Sequence, residues 1–189
     1  CLPIQPEVLQ GQGELAKEIN ADIVFIGPES PLVLGLKDKL NAIGIEAFGP
    51  SAKAAQLEGS KTFSRKFCER HNIPQPKFKY CLDIKTAITE IELLNGYCVV
   101  KADGLAAGKG VTVCDNIHQA VKAAKDILEK KIFGSAGNVI LIEERISGIE
   151  ASLFAISDGN NAVLLGTAQD HKRAFDNDKG PNTGGMGAI

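Results

Sequence analysis

The segment that most restricts how this chain can fold is a glycine-rich loop held between two short apolar runs. Residues 97–101 (Tyr-Cys-Val-Val-Lys) and 111–114 (Val-Thr-Val-Cys) have the length and β-branched content of strands. Between them lies Ala102-Asp-Gly-Leu-Ala-Ala-Gly-Lys-Gly110. A strand, a short loop and a second strand fold back as an antiparallel hairpin. That excludes a Walker A loop, which needs G-x-x-x-x-G-K-[ST] opening a helix. Asp103 takes the place of its first glycine, and Gly110 that of the Ser or Thr that would hold Mg²⁺. The loop is expected to be a mobile flap at a hairpin tip. Its bare backbone N–H groups can ring a phosphate, with Lys109 adding charge and Lys101 ending the first strand toward the same place. Taken alone, the loop is equally an ordinary turn with solvated lysines.

The elements around the flap define the fold class. Residues 22–27 (Asp-Ile-Val-Phe-Ile-Gly) read as a parallel strand buried on both faces. Pro28 to Pro31 reads as a turn, residues 32–43 as one helix stopped by Gly44, and residues 45–48 as a second strand. This is one βαβ crossover, and the chain is expected to pass from α/β into α+β material near residues 49–60. Ser51 and Ser60 are placed to cap helices reaching Leu57 and His71. Further on, the pattern predicts strands at 77–81 and 138–143 and helices at 83–94 and 116–130. Strands at 151–156 and 162–166 form a hairpin about Asp158-Gly-Asn160. Residues 176–189, with four glycines and no periodicity, are expected to form one long loop.

Charge and composition remove several function classes. With 21 Lys+Arg against 23 Asp+Glu, a net charge of −2 does not suit a nucleic-acid binder driven by bulk charge. No apolar run approaches the ~20 residues of a membrane span. The five cysteines are widely spaced without C-x-x-C, and the three histidines are scattered, so neither a disulfide framework nor a zinc site is supported. Thiols in a reducing cytosol are expected. The single methionine is Met186. Cys1 is therefore not a translational start, and the chain is expected to be an internal piece of a longer protein.

Four more segments carry chemistry-capable residues. Residues 139–150 run from a strand into a hinge bearing Glu143, Glu144, Arg145 and Ile146, with Glu150 beyond. Such a hinge can offer backbone donors and acceptors to an adenine edge and a carboxylate to ribose hydroxyls. Gln169-Asp-His-Lys-Arg173 follows a strand, with Lys172 and Arg173 suited to phosphate and Asp170 to an ammonium group. Gly180-Pro-Asn-Thr-Gly-Gly-Met-Gly187 permits close backbone approach to a ligand. Gly27-Pro28-Glu29 closes a strand at the edge where open α/β sheets bind ligands. Each alone is also what solvated turns and strand ends look like.

Together with Gln56-Leu-Glu-Gly-Ser-Lys61, these segments resemble, in order and spacing along nearly the whole chain, the phosphoribosylamine–glycine ligase family (glycinamide ribonucleotide synthetases) of the ATP-grasp superfamily. The resemblance implies a partial ATP-grasp fold preceded by the remnant of an open parallel α/β domain. Residues 1–50 would be that remnant, and 51–189 an ATP-grasp domain incomplete at its C-terminal end, with 75–144 as its lid. It implies ligation of glycine to 5-phosphoribosylamine at the expense of ATP, through a glycyl phosphate, in purine biosynthesis in the cytoplasm. Lys61, Lys101, Gly108, Lys109, Gly110, Arg173 and Asn182 would then serve the nucleotide phosphates. Glu143, Glu144, Arg145 and Ile146 would form the adenine hinge, and Glu150 would hold the ribose. Gly27, Pro28, Glu29, Asp170, Gly185, Met186 and Gly187 would face glycine and phosphoribosylamine, with Arg173 and Asp170 as the catalytic pair. Arg145 departs from the aromatic or aliphatic residue usual in the family, and Ile149 from a second acid.

In the family the Mg²⁺ (or Mn²⁺) ligands lie on an acidic segment beyond the position of Ile189. The 189 residues are therefore expected to be inert by themselves and their parent active, with fusion to other purine-pathway domains possible. A nucleotide-binding module without ligation, or an ATP-grasp ligase for another carboxylate, are the alternatives.

Overall fold

The computed structural model describes residues 4–106, 108–177 and 179–189. They form two compact units, Cys1–Arg145 and Ile146–Ile189. The first unit opens with α1 (Leu9–Glu18), β1 (Ile23–Phe25), α2 (Glu29–Val33), α3 (Leu36–Ala42) and β2 (Glu46–Phe48). β1 and β2 pair in parallel from Ile23 opposite Glu46 to Phe25 opposite Phe48, which is the crossover the sequence calls for. Two details differ from expectation. The stretch 32–43 is two helices, because Gly35 adopts φ +88° between them. Helix α2 already begins at Glu29, so Pro28 is its cap rather than part of a longer turn. And β1 is covered on one face only. Ile26, Leu36, Leu40, Ile45 and Ala16 form a small core with Val24 and Ala47 against it. The alternate residues Ile23 and Phe25 are 50% and 72% exposed. Among the described residues no second helical layer covers that face, and Phe25 stacks on Phe48 with ring centroids 4.4 Å apart.

Helices α4 (Ala52–Gly59) and α5 (Lys61–Arg70) abut at Ser60. The Ser51 and Ser60 hydroxyls accept from the backbone N–H groups of Ala54 and Phe63, satisfying donors that a helix start leaves free. Then follow β3 (Phe78–Cys81), α6 (Ile84–Leu93), β4 (Cys98–Ala102), β5 (Val111–Cys114), α7 (Ile117–Leu128) and β6 (Ile140–Glu144). Asp83 and Asn116 cap α6 and α7 in the same way. The four strands form one antiparallel sheet in the order β3-β6-β4-β5.

Strand alternation gives this sheet two unlike faces. Cys98, Val100, Ala102, Ile140 and Ile142 meet Ala87 and Ile91 of α6 and Ala120, Ala124 and Ile127 of α7. The alanines let both helices lie close, and this is the main apolar core. The thiols of Cys81, Cys98 and Cys114 are buried within it, and burial pushes that of Cys81 up to about 11. Val99, Lys101, Leu141 and Glu143 point to the other face.

The second unit contains β7 (Ser152–Ser157) and β8 (Ala162–Ala168), an antiparallel hairpin whose turn is held by the Asp158 carboxylate accepting from Asn160 and Asn161 N–H. The chain after it is not one loop. β9 (Arg173–Phe175) pairs antiparallel with β10 (Lys179–Asn182), and Gln169 and Ile189 exchange both backbone hydrogen bonds, at 2.7 and 3.0 Å. Backbone pairing needs no side-chain period, so the sequence pattern does not reveal it. Gly180 at φ +87° lies against the Phe175 ring, where a Cβ would come within 2.4 Å. Among the described residues, no helix is long and apolar enough to cross a membrane.

Gly96 fixes how α6, β4 and α7 meet. It has φ +71°, and a Cβ there would lie 2.0 Å from the Ile117 backbone nitrogen. Gly96→Ala is expected to destabilise the first unit by about 2 kcal/mol or more, read by thermal unfolding, since strain and overlap add. An unchanged transition would show that α7 can shift freely.

Candidate functional site

The site is built on the polar face of the four-stranded sheet. Val99 of β4 stands opposite Glu143 of β6, and Lys101 opposite Leu141, so Lys101 and Glu143 are diagonal neighbours on one face. The Lys101 Nζ lies 2.6 Å from a Glu143 carboxylate oxygen. Helix α5 adds Arg65, whose Nε and Nη2 donate to the two oxygens of the same carboxylate at 2.7 and 2.9 Å. The Glu143 side chain is 1% exposed, and those of Arg65 and Lys101 are 21% exposed. Burial pushes the Glu143 carboxyl up, but the hydrogen bonds and charges of Arg65 and Lys101 outweigh it and hold it below its ordinary value. Two cations on one acid leave the cluster with a net positive charge.

The second part of the site is the start of α5. Asp103, at the root of the glycine flap, accepts from Thr62 N–H at 2.6 Å and from the Ser60 hydroxyl at 3.0 and 3.2 Å. Its carbonyl accepts from Lys61 N–H at 3.1 Å. A carboxylate from a distant loop thus occupies the helix N-terminus, where the macrodipole favours negative charge. Lys61 lies half-buried beside it, its Nζ donating to the Gly104 carbonyl at 3.3 Å. Burial lowers the Lys61 pKa, against the opposing charges of Asp103 and Glu58. The flap root is tight: Gly104 packs on Ala136, and Gly110 on Ala106 and Ala102, with 2.9 and 2.7 Å to the nearest atoms of an added Cβ. Gly108, at φ +74°, has open space around it, and Lys109 is exposed.

The remaining residues of the first unit lie as follows. The Glu144 carboxylate turns away from Glu143 and accepts from Lys77 N–H at 2.9 Å. Glu143 has its own carboxylate directed inward, so it has only backbone to offer a hinge. The Arg145 guanidinium sits 4.6 Å over the Tyr97 ring and pairs with Asp115. Charge and ring together fix it at the end of β6. Gly27, Pro28 and Glu29 lie exposed at the carboxyl end of β1. A groove of about 610 Å³ along α7, lined by His118, Lys122 and Asp126 among others, includes none of these residues.

In the second unit, Asp170 bridges to Ala188, and its carboxylate lies 3.2 Å from the position of a Cβ on Gly185, which has φ +124°. His171 and the Met186 to Gly187 backbone exchange hydrogen bonds at 2.7 and 2.9 Å. Asp170 and residues 185–187 are thus brought together. Lys172 is shared by Glu150 at 3.0 Å and Asp170 at 3.7 Å. Arg173 donates to the Gly180 carbonyl at 2.7 Å. Ile146 is exposed, and the side chain of Asn182 lies outside the described residues.

Sequence reasoning missed Arg65 and the capping role of Asp103. Arg65 follows Lys61 by four, which puts both on one helix face. That spacing is a usable signal, but nothing in it names a buried acid 78 residues away as the partner.

Two outcomes are expected. Asp103→Ala should cost about 1–2 kcal/mol and speed amide exchange at Lys61 and Thr62, whereas Asp103→Asn, which keeps an acceptor, should cost less. Equal losses would remove the cap. For Glu143, the folded-state value is depressed, so its stabilisation is fully present above its ordinary 4.5 and is lost as pH falls through the lowered value. Glu143→Gln should therefore cost about 3 kcal/mol at neutral pH, and the gap to the parent should narrow in acid. Denaturant unfolding across that range checks this; a gap independent of pH would refute it.

Residues 59–189 match the model for the phosphoribosylglycinamide synthetase ATP-grasp (A) domain, and residues 1–58 that for the phosphoribosylglycinamide synthetase N domain. A phosphoribosylamine–glycine ligase of Caulobacter vibrioides is 54% identical over 93% of this chain and 41% of its own length. The bifunctional purine biosynthetic protein purD of Dictyostelium discoideum is 51% identical over 100% of this chain and 23% of its own. Among solved structures, the phosphoribosylamine–glycine ligase of Thermotoga maritima superposes with a TM-score of 0.79 at 30% identity, over 93% of this chain and 43% of that one. The chain spans less than half the length of each of these relatives. The chain therefore belongs to the phosphoribosylglycinamide synthetase family, with the ATP-grasp fold.

Proposed function

We propose that this chain is part of an ATP-dependent carbon–nitrogen ligase that joins glycine to 5-phosphoribosylamine. The observation that carries the reading is the net-positive cluster of Lys101, Arg65 and Glu143, with Lys61 bonded to the carbonyls at the root of the glycine flap. A polyphosphate is the ligand such a face suits. The family membership and the names of the relatives support the choice of glycine and phosphoribosylamine. The ligation belongs to a protein of the relatives' length, of which these residues span less than half.

The chemistry follows from the substrates. A carboxylate resists attack by an amine, because resonance and charge make it a poor acyl donor. A glycine carboxylate oxygen attacks the γ-phosphorus of ATP, the bond to the bridging oxygen breaks, and ADP leaves. The resulting glycyl phosphate has a good leaving group. The phosphoribosylamine nitrogen attacks its carbonyl carbon, phosphate departs with the bonding pair, and the nitrogen loses a proton. Lys61 and Lys101 would offset charge on the nucleotide phosphates, acting by position and field rather than by bond making. The flap, from its fixed root at Asp103 to Gly110, would close over the triphosphate and exclude the water that hydrolyses an acyl phosphate. Glu144, Arg145 and Ile146 would offer backbone to adenine, and Glu150 a carboxylate to ribose. Arg173 and Asn182 would serve the phosphates. Asp170 and residues 185–187 would face the amine substrates, with Gly27, Pro28 and Glu29.

A divalent cation, Mg²⁺ or Mn²⁺, would help neutralise the triphosphate. Among the described residues, no group of three or more His, Cys, Asp or Glu could hold one, so these residues do not fit a metal site by themselves. The buried thiols favour a reducing compartment such as the cytoplasm. The bifunctional relative supports fusion to a second purine-pathway activity.

Lys101→Ala in the full-length protein should weaken ATP binding about tenfold or more, the loss of a charge-assisted hydrogen bond. Calorimetric titration measures it, and an unchanged affinity would take Lys101 out of the site. ADP release that requires both glycine and phosphoribosylamine is the expected activity of the same protein. ADP release indifferent to glycine would sink the ligase reading.

A further inference from the structure

Glu143 is held in two different ways by its two cations. Arg65 donates through a rigid fork, Nε at 2.7 Å and Nη2 at 2.9 Å, and its direction is fixed by that geometry. Lys101 donates from a flexible stem with a single Nζ at 2.6 Å. An ammonium group has three donors, so Lys101 keeps capacity for a further acceptor. The carboxylate itself is 1% exposed and cannot turn to water. A buried carboxylate that loses its only partner is costly, and one that keeps a bidentate arginine is not left bare.

We propose that Arg65 and Glu143 are positioning residues for Lys101: Arg65 is the permanent counter-ion of Glu143, and this leaves the Lys101 ammonium free to be shared with a phosphate of the bound nucleotide. Without Arg65, Lys101 and Glu143 form a closed, neutral pair. The lysine is then the sole partner of a buried acid, and drawing it toward a phosphate strands that acid. With Arg65, three groups carry one net positive charge, directed through the lysine. Arg65 touches no substrate in this arrangement; it acts through Glu143. Asp103 is held by the start of α5, and Lys61 bonds the flap carbonyls, so neither is placed to take over as the Glu143 partner.

The inference rests on the nucleotide-binding reading, and the test separates the two. ATP and adenosine are titrated into the full-length protein and its variants, with thermal unfolding run alongside. Arg65→Met should weaken ATP about tenfold or more and leave adenosine unchanged. Adding Glu143→Gln to Arg65→Met should recover most of the ATP affinity, because Lys101 is released. That recovery is what a merely structural Arg65 would not give. Arg65→Lys, which keeps the charge and loses the fork, should fall between, and it carries the test if Arg65→Met fails to fold. ATP binding unaltered by Arg65→Lys and Arg65→Met overturns the proposal, as does equal loss of ATP and adenosine, or no recovery in the double variant. Absence of ATP binding in the parent protein overturns the nucleotide reading itself and this inference with it.

Discussion

The buried carboxylate of Glu143 is the point on which the first unit depends. A charge taken out of water is tolerated only when it is paired and hydrogen-bonded. Here the pairing draws three separate elements together. Glu143 comes from the central strand β6, Lys101 from its neighbour β4, and Arg65 from α5, which precedes the whole sheet in sequence. The acid therefore does for the polar face what the alanine-rich contact with α6 and α7 does for the apolar face. One side of the sheet is held by burial, which has no direction. The other is held by ion pairs, which specify where each cation must sit.

The polar face also meets the root of the flap. The root lies where Asp103 caps α5 and where Gly104 and Gly110 pack too closely for any side chain. The cap also fixes Lys61, so that lysine is located by the same contact that anchors the root of the loop. Among the described residues, nothing lies within 4 Å of the position of a Cβ on Gly108. The single feature first noticed in the sequence, a glycine loop between two strands, is thus two features: glycines required by close contact, and one required by its φ.

Most of the local structure was legible from pattern. The caps at Ser51, Ser60, Asp83 and Asn116, the β4–β5 hairpin and the parallel crossover follow from residue types at fixed offsets. The single helix read across residues 32–43 did not survive, because the apolar spacing of Leu32, Leu36 and Leu40 continues smoothly through a break at Gly35. The pairing of β9 with β10 was hidden for the opposite reason: glycine-rich backbone makes ladder hydrogen bonds without any apolar alternation to announce them. The double burial expected of β1 failed because a continuous apolar run states only that a strand could be covered twice, whereas Phe25 and Ile23 face no helix here.

The sequence by itself determined the order of the elements, the lysines and glycines of the flap, and the family to which the motifs point. Those depend on neighbours a few residues apart, and propensity and spacing read them. The tertiary structure alone decided that Arg65 and Lys101 meet on Glu143, that Asp103 caps a helix 41 residues before it, and that Arg145 lies over Tyr97 against Asp115. A charged side chain has no periodicity that names its partner. Only the antiparallel register of β4 on β6, with Arg65 of α5 reaching their polar face, brings opposite charges within hydrogen-bonding distance.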